Sequence, residues 1–394
     1  MRNRTRLVLV GVGVGMAMFM CDGVAGSLGS QPVGDVRQAD PVSGMALPME
    51  IPIVIVKYFP VHGDRIDIRV TGDWGESLET ARRKTERIAR EAMAALEEGS
   101  RYHGYKDLQA RPSLRYRVLA VQEVLQPMPL RPKRPGDRVP LPDYARIMAD
   151  LDIHRWVQDR GAKEVWLFAY HGDVVGLWES NMSSPFGDVS NSNRDGGDLP
   201  VLDRTYTVYH FNYQRDVAEA VENHVHQIEH LLNHVDGRES APPERWPDLL
   251  FWGKFVGSDR SHKMVPVTTQ DGRPVYRCGW THYAPNSEHD YDWANPRAVE
   301  TDIEDWRPEG IGRTRTLNCE RWQCKDLNWK IYWMQNLPGE GHGLAYRGRP
   351  LTNWWLFKGD WDYAMRHRIG LVALSPEPPR PDTPGPGSAS RSAP

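Results

Sequence analysis

The sequence is short of three things: cysteine, net charge and long apolar runs. Four cysteines among 394 residues are too few for a disulfide framework to replace a hydrophobic core. Lys and Arg number 49 against 52 Asp and Glu, a net charge of −3, and the basic residues do not cluster. Nothing here gives the basic surface a phosphate backbone requires, so no nucleic-acid partner is expected. Beyond the N-terminal segment no stretch is apolar enough to cross a bilayer, so no stable membrane span is expected. The chain also lacks a Gly-x-Ser-x-Gly elbow, a phosphate-cradling P-loop and a dinucleotide fingerprint, which removes support for serine-hydrolase and nucleotide-binding readings. No internal repeat is evident.

What is present begins with an export pattern. Arg2, Arg4 and Arg6 precede an uncharged run from Leu7 to Met20, and Gly23-Val24-Ala25 offers a small-residue cleavage site. This predicts a signal peptide over residues 1–25 and a secreted protein, extracellular or periplasmic; an uncleaved anchor is the alternative. Residues 26–48, rich in Gly, Ser, Pro and Asp, read as a disordered leader, and the Pro- and Ser-rich residues 375–394 as a disordered tail. Cys21 leaves with the signal or sits beside it. The odd count of Cys278, Cys319 and Cys324 implies one pair and one free thiol in an oxidising compartment. Cys278 with Cys319 is the favoured pair, because it would tie a loop-rich region together; Cys319 with Cys324 stays open.

Between these ends the pattern is α+β. The β-branched run Met49–Tyr58 predicts a strand. Ser77 caps a helix running to about Leu96, and Ser113–Leu125 alternates like a second strand. Asp143 caps a helix to about Asp159. Glu164–Tyr170 is almost wholly apolar, hence a central strand, and Val174–Met182 is a shorter edge strand. Thr205–Tyr213 is a strand leading into a helix over Arg215–His234. Residues 49–235 therefore form one α/β part with a mixed twisted sheet. Residues 236–374, rich in Trp, Pro and Gly, form a loop-rich second part packed on the first.

The helix over residues 215–234 carries the most chemical information. Ala218, Val221, Val225, Ile228 and Leu232 recur at three- and four-residue steps and make its buried stripe. Glu219, Glu222, His226, Glu229 and Asn233 form a second stripe on its flank, where a helix lining a cleft places functional groups. Glu222 and His226, four apart, share a face and are able to converge on one ion. His226-Gln-Ile-Glu229-His230 also spells H-x-x-E-H, the pattern of inverted zinc peptidases, with His226 and His230 as ligands and Glu229 as base. A solvated helix face is the bland alternative.

The order of these elements, with a histidine-bearing helix after the last strand, resembles the catalytic domain of zincin metallopeptidases, metzincins especially. The resemblance covers about Met49 to His234. It implies an edge strand lying antiparallel over the cleft and holding extended substrate, followed by an H-E-x-x-H helix. Laid on that motif, Glu222-Asn223-His224-Val225-His226 puts His226 at the second ligand and Glu222 in place of the first histidine. Asn223 falls in place of the general-base Glu, and an amide cannot take up a proton there. The G-x-x-H extension is missing, with Glu229 and Leu232 at its positions. The stretch Cys278-Gly-Trp-Thr-His282-Tyr-Ala-Pro-Asn286, followed by Asp290-Tyr-Asp292, also resembles an uncharacterised family of exported bacterial proteins, which implies that both halves form one module.

Outside the helix, His282 is the expected further metal ligand, lying in a loop-rich stretch. Asp290, Asp292, Asp302, Glu304 and Asp305, and likewise Asp188, Asp195 and Asp198, are oxygen donors for a calcium ion, without EF-hand spacing. Glu179 with Glu229 would make a carboxylate pair for glycoside hydrolysis. Trp178, Trp280, Trp293, Trp306, Trp354 and Trp355 are candidates for stacking on sugar rings. Three functions follow. The first is a secreted metal-dependent hydrolase, peptidase-like, using zinc or another ion. The second is a non-catalytic binder of extracellular peptide or polysaccharide on a degenerate zincin scaffold. The third is a glycosidase using carboxylates alone.

Overall fold

The structure, a computed structural model, describes residues 6–8, 46–72, 74–171, 174–176, 178–192 and 197–373. Most of the expected signal segment and leader, all of the tail from 375, and Asp195 lie outside the described residues. The chain is α+β with a mixed six-stranded sheet. Its strands are β1 (Arg6–Val8), β2 (Met49–Tyr58), β3 (Leu114–Val124), β4 (Glu164–Ala169), β5 (Ser180–Ser183) and β6 (Tyr206–Asn212). They lie in the order β1-β3-β2-β4-β6-β5. The four strands β3, β2, β4 and β6 run parallel, and β1 and β5 close the two edges antiparallel. β4 and β6 are buried along their whole length and β2 at all but Glu50, as expected of parallel strands covered on both faces.

The helix α1 (Leu78–Gly99) starts where the Ser77 hydroxyl accepts from the Thr80 backbone N–H, with Glu79 in the first turn; both complement the exposed amides of a helix start. α2 (Tyr144–Leu151) is shorter than the sequence suggests. It ends at Asp152 in the left-handed region and gives way to a wide turn of helix over Arg155–Asp159. α3 (Val217–Val235) follows β6 directly and is capped by Asp216.

α3 does not present the solvated face that was the bland alternative. Every residue from Asn223 to Glu229 is buried, so its polar stripe is enclosed rather than solvated. The sheet side of the first half covers Asn223, His224 and Gln227, and the second half of the chain covers His226 and Glu229. A helix absent from the sequence reading, α4 (Asp326–Met334), packs on both α1 and α3. It is only nine residues long and its apolar residues, Leu327, Trp329, Ile331, Tyr332, Trp333 and Met334, fall on every side of it, which hides the usual one-sided stripe. Two short helices, α5 (Leu356–Gly359) and α6 (Trp361–Arg366), complete that side. One hydrophobic core runs from Met49 to Leu371 across both halves and includes Trp306, Trp354 and Trp355, which are therefore core residues and not sugar platforms. Among the described residues no helix is long and apolar enough to cross a membrane.

Cys319 pairs with Cys324, and Cys278 is a buried free thiol. The favoured Cys278–Cys319 pairing is thereby corrected. Cys278 is spent on packing beneath the 255–256 backbone, donating its amide to the Phe255 carbonyl, while a tight turn carries Cys324 back to Cys319, whose carbonyl accepts the Cys324 amide at 2.7 Å.

Candidate metal centre

α3 and the loop after Cys278 bring three ligand groups together. One ligand atom each from Glu222, His226 and His282 lie within 4.8 Å of one another. The two histidine Nε2 atoms are 3.0 Å apart, and Glu222 Oε1 is 3.7 Å from His226 Nε2 and 3.5 Å from His282 Nε2. Four-coordinate zinc with bonds of 2.0–2.1 Å sets its ligand atoms about 3.3 Å apart. The group therefore has the chemistry and the spacing to hold a metal ion.

The far side of each imidazole is held. His226 Nδ1 faces Glu229 Oε2 at 3.1 Å, and His282 Nδ1 faces Asp290 Oδ1 at 3.0 Å. A carboxylate on the outer nitrogen fixes ring orientation and the tautomer that presents Nε2 as a lone-pair donor. Glu229 also accepts the Thr281 amide through Oε1 at 2.7 Å. One carboxylate thus orients the ligand on α3 and anchors the loop carrying the other histidine. That loop is fixed further: Trp329 and Trp333 of α4 donate their indole N–H to the carbonyls of Thr281 and Gly279 at 3.0 and 2.8 Å. Gly279 turns with φ +75°, and a Cβ there would run into the Tyr283 carbonyl, so the turn needs glycine.

Glu222 is shared between the ligand group and a cation. Its Oε2 lies 2.6 Å from the Nζ of Lys330, a side chain with no exposed surface that also pairs with Asp326. Burial raises the proton affinity of Glu222, but contacts to His226, His282 and Lys330 outweigh it and hold the carboxyl far below its ordinary range. Burial pushes His226 down, yet hydrogen bonds to Glu222 and Glu229 win and raise it to about 10 in the metal-free protein. Glu229 is likewise lowered, its partners His226 and Thr281 overcoming burial.

On the open side lies a cavity of about 720 Å³ lined by Glu222, Glu179, His171, Tyr291, Trp293 and Asp326, among others. Tyr291 stands at φ +58°, an uncommon setting for a bulky residue. Its ring centre is 4.0 Å from that of His282 and its hydroxyl is 3.4 Å from Glu222 Oε1. Glu179 lines this cavity just before β5 and has its proton affinity raised by burial, opposed by His226 and reinforced by Glu222.

Several expectations are revised by this arrangement. His230 lies outside the ligand group: His226 presents Nε2 toward Glu222, one turn back, and burial holds the His230 imidazole toward its neutral form. Glu229 faces His226 and Thr281 rather than the cavity that Glu179 lines, so the two carboxylates do not flank a common groove. The calcium donors are already engaged. Asp302 pairs with Arg277, Glu304 with Arg321, and Asp305 with Arg307. Asp292 accepts from Glu288 and Asn295, Asp188 from the Ser184 amide and Asp198 from Asn181.

The outer edge of β5 is not open for an extended substrate. The Ser192 amide donates to the Ser180 carbonyl at 3.3 Å, and the Met182 amide to the Ser190 hydroxyl at 2.8 Å. The chain's own residues 190–192 lie along that edge. Sequence reasoning missed Lys330 and the orienting roles of Glu229 and Asp290. Asp290, eight residues past His282, was visible only as a generic oxygen donor. No family model matches the chain, and no curated protein or solved structure matches it significantly.

Proposed function

We propose that this is a secreted metal-dependent hydrolase on a zincin-like scaffold, with zinc held by Glu222, His226 and His282. The observation that carries the reading is the double orientation of the site: two histidines aim Nε2 at one point while Glu229 and Asp290 hold their outer nitrogens. Buried polar residues are costly unless bonded or liganded, and a converging set with this outer shell is what metal binding requires. The scaffold reading draws support from the parallel strands, the antiparallel edge strand β5 and the direct passage from β6 into a helix with ligands four residues apart. Export draws support from the N-terminal pattern and the Cys319–Cys324 pair.

A zinc ion held there would supply Lewis acidity and would activate water for attack near neutral pH. The residues of the chain do the rest. Lys330 neutralises the excess charge of Glu222 and turns its Oε1 toward the histidines. Tyr291 offers a phenolic donor at the cavity wall. Peptide-like substrates enter through the cavity rather than along β5, whose edge the chain itself covers. A non-catalytic binder of peptide or polysaccharide is the second reading, favoured by Asn223 at the base position of the resembled motif.

Metal analysis of protein purified without affinity metals tests this. One equivalent of zinc, lost in His282→Ala with the fold intact by circular dichroism, is the expected result. A folded wild type that takes up no zinc, even when titrated with it, ends the hydrolase reading.

A further inference from the structure

Asn223 is not a spoiled base but a structural amide, and that relocates the missing function. Its Nδ2 donates to the His210 carbonyl of β6 at 3.0 Å, pinning α3 to the sheet. Asn223 is buried. A carboxylate there would face that carbonyl with no proton to give. The amide of the same residue, His210, donates to the Glu179 carbonyl at 3.4 Å. Asn223 and Glu179 are thus fastened to one residue of β6 from two different segments. The next residue, Ser180, donates its hydroxyl to Gln227 Oε1 at 2.6 Å, one position along α3 from His226. Glu179 is consequently held beside the ligand-bearing turn, and its side chain lines the cavity onto which Glu222 opens. Asn191 donates its side-chain amide to the Glu179 carboxylate, which fixes its direction.

From this placement we infer that Glu179, supplied by the segment entering the edge strand, is the general base of the site, in place of the helix residue that Asn223 occupies. The inference rests on the metal-centre reading. In the reaction, a water O–H bond breaks and its proton passes to the Glu179 carboxylate while the water oxygen bonds to the electrophilic carbon of the substrate. The same proton then leaves Glu179 for the departing group as the scissile bond breaks, and the carboxylate is regenerated. A carboxyl whose proton affinity is raised by burial suits both transfers better than an exposed one. The groups facing Glu179 are Glu222, His226 and Glu219 on α3, His282 and Tyr291 on the loop beyond residue 278, and His171, Arg215, Asp216 and Asp326 around the cavity. All of these stay constant when only Glu179 is changed.

Cobalt(II) gives a readout that needs no substrate. The visible spectrum of the cobalt-loaded full chain, followed against pH, reports ionisations next to the ion. Two coupled steps are expected in the wild type. Glu179→Gln should retain one equivalent of cobalt but lose one step, with the other falling by about one pH unit or more as a neighbouring negative charge is removed. Glu179→Asp should keep both steps. An unchanged titration in a folded, cobalt-bound Glu179→Gln protein overturns the assignment and leaves the metal centre standing. Failure of the wild type to bind cobalt overturns the metal reading itself. If Glu179→Gln does not fold, Asn191→Ala serves instead: losing a donor to the carboxylate should move one step upward, and no movement counts against Glu179.

Discussion

Two histidines on α3, two residues apart and both buried, meet opposite fates. His226 faces the second half of the chain, with Glu222, Glu229 and His282 around it. His224 faces the sheet. It stacks on Tyr209 at 3.8 Å between ring centres, lies beside Trp166, and accepts from the Lys358 ammonium at its Nδ1. Lys358 in turn pairs with Glu164 and reaches the Tyr209 hydroxyl. Burial drives both imidazoles toward neutrality. Around His226 two carboxylates reverse that push; around His224 a buried cation adds to it, and its proton affinity falls well below normal. Burial alone therefore says nothing of a histidine's role, and the sign of the neighbouring charge decides whether it is a ligand in waiting or a packed ring.

The contrast is sharpest in metal binding. His226→Ala should abolish stoichiometric zinc uptake, while His224→Gln should leave the affinity within a few-fold of wild type, both read by calorimetric titration. Equal losses would dissolve the distinction between the two sides. The reverse asymmetry is expected in stability. Lys358→Met leaves Glu164 buried without its cation, a loss of about 3–5 kcal/mol in urea unfolding, with zinc affinity retained in the protein that folds. The outer shell comes next. Glu229→Gln and Asp290→Asn should each weaken zinc binding about 10–100-fold. Glu229 should lie at the upper end because it also holds the Thr281 amide; Asp290 is half exposed and should lie at the lower.

A separate contrast lies in the pH dependence of the metal-free protein. His226 is raised to about 10 in the fold against about 6.5 unfolded. Its contribution to stability is complete below the unfolded value and disappears as pH climbs through about 10. His224 is lowered, so its contribution is complete above about 6.5 and declines as pH falls below that value. His226→Gln should accordingly flatten the alkaline limb of a stability profile and His224→Gln the acid limb. Zinc uptake should displace the His226 proton and tighten as pH rises.

Much of the first half was legible in the sequence because its signals are local. β-branched runs, the Ser77 and Asp143 caps and the long periodic helix appear within a few residues of their expected ends. Glu222, His226 and His282 were legible as donors for a similar reason: four residues on a helix is a geometric constant, and His282 sits among turn-forming residues. The failures lie where distant segments meet. The His-x-x-Glu-His spacing suggested His230 as a ligand and Glu229 as base. The loop that returns from residue 278 instead turns Glu229 into an anchor. α4 was missed because it is short and apolar on every side, so that no one-sided stripe marks it, and Lys330 was missed with it.

The sequence by itself determined which residues alternate, which cap, and which donors share one helix face, because those follow from backbone geometry over a few residues. The tertiary structure decided which of those donors converge, which carboxylate is spent on orientation and which is left facing the cavity. These outcomes depend on contacts between residues 52 to 108 positions apart in the chain, as between Glu229 and Thr281 or Glu222 and Lys330; only the packing of the second half against α3 brings such partners within bonding distance.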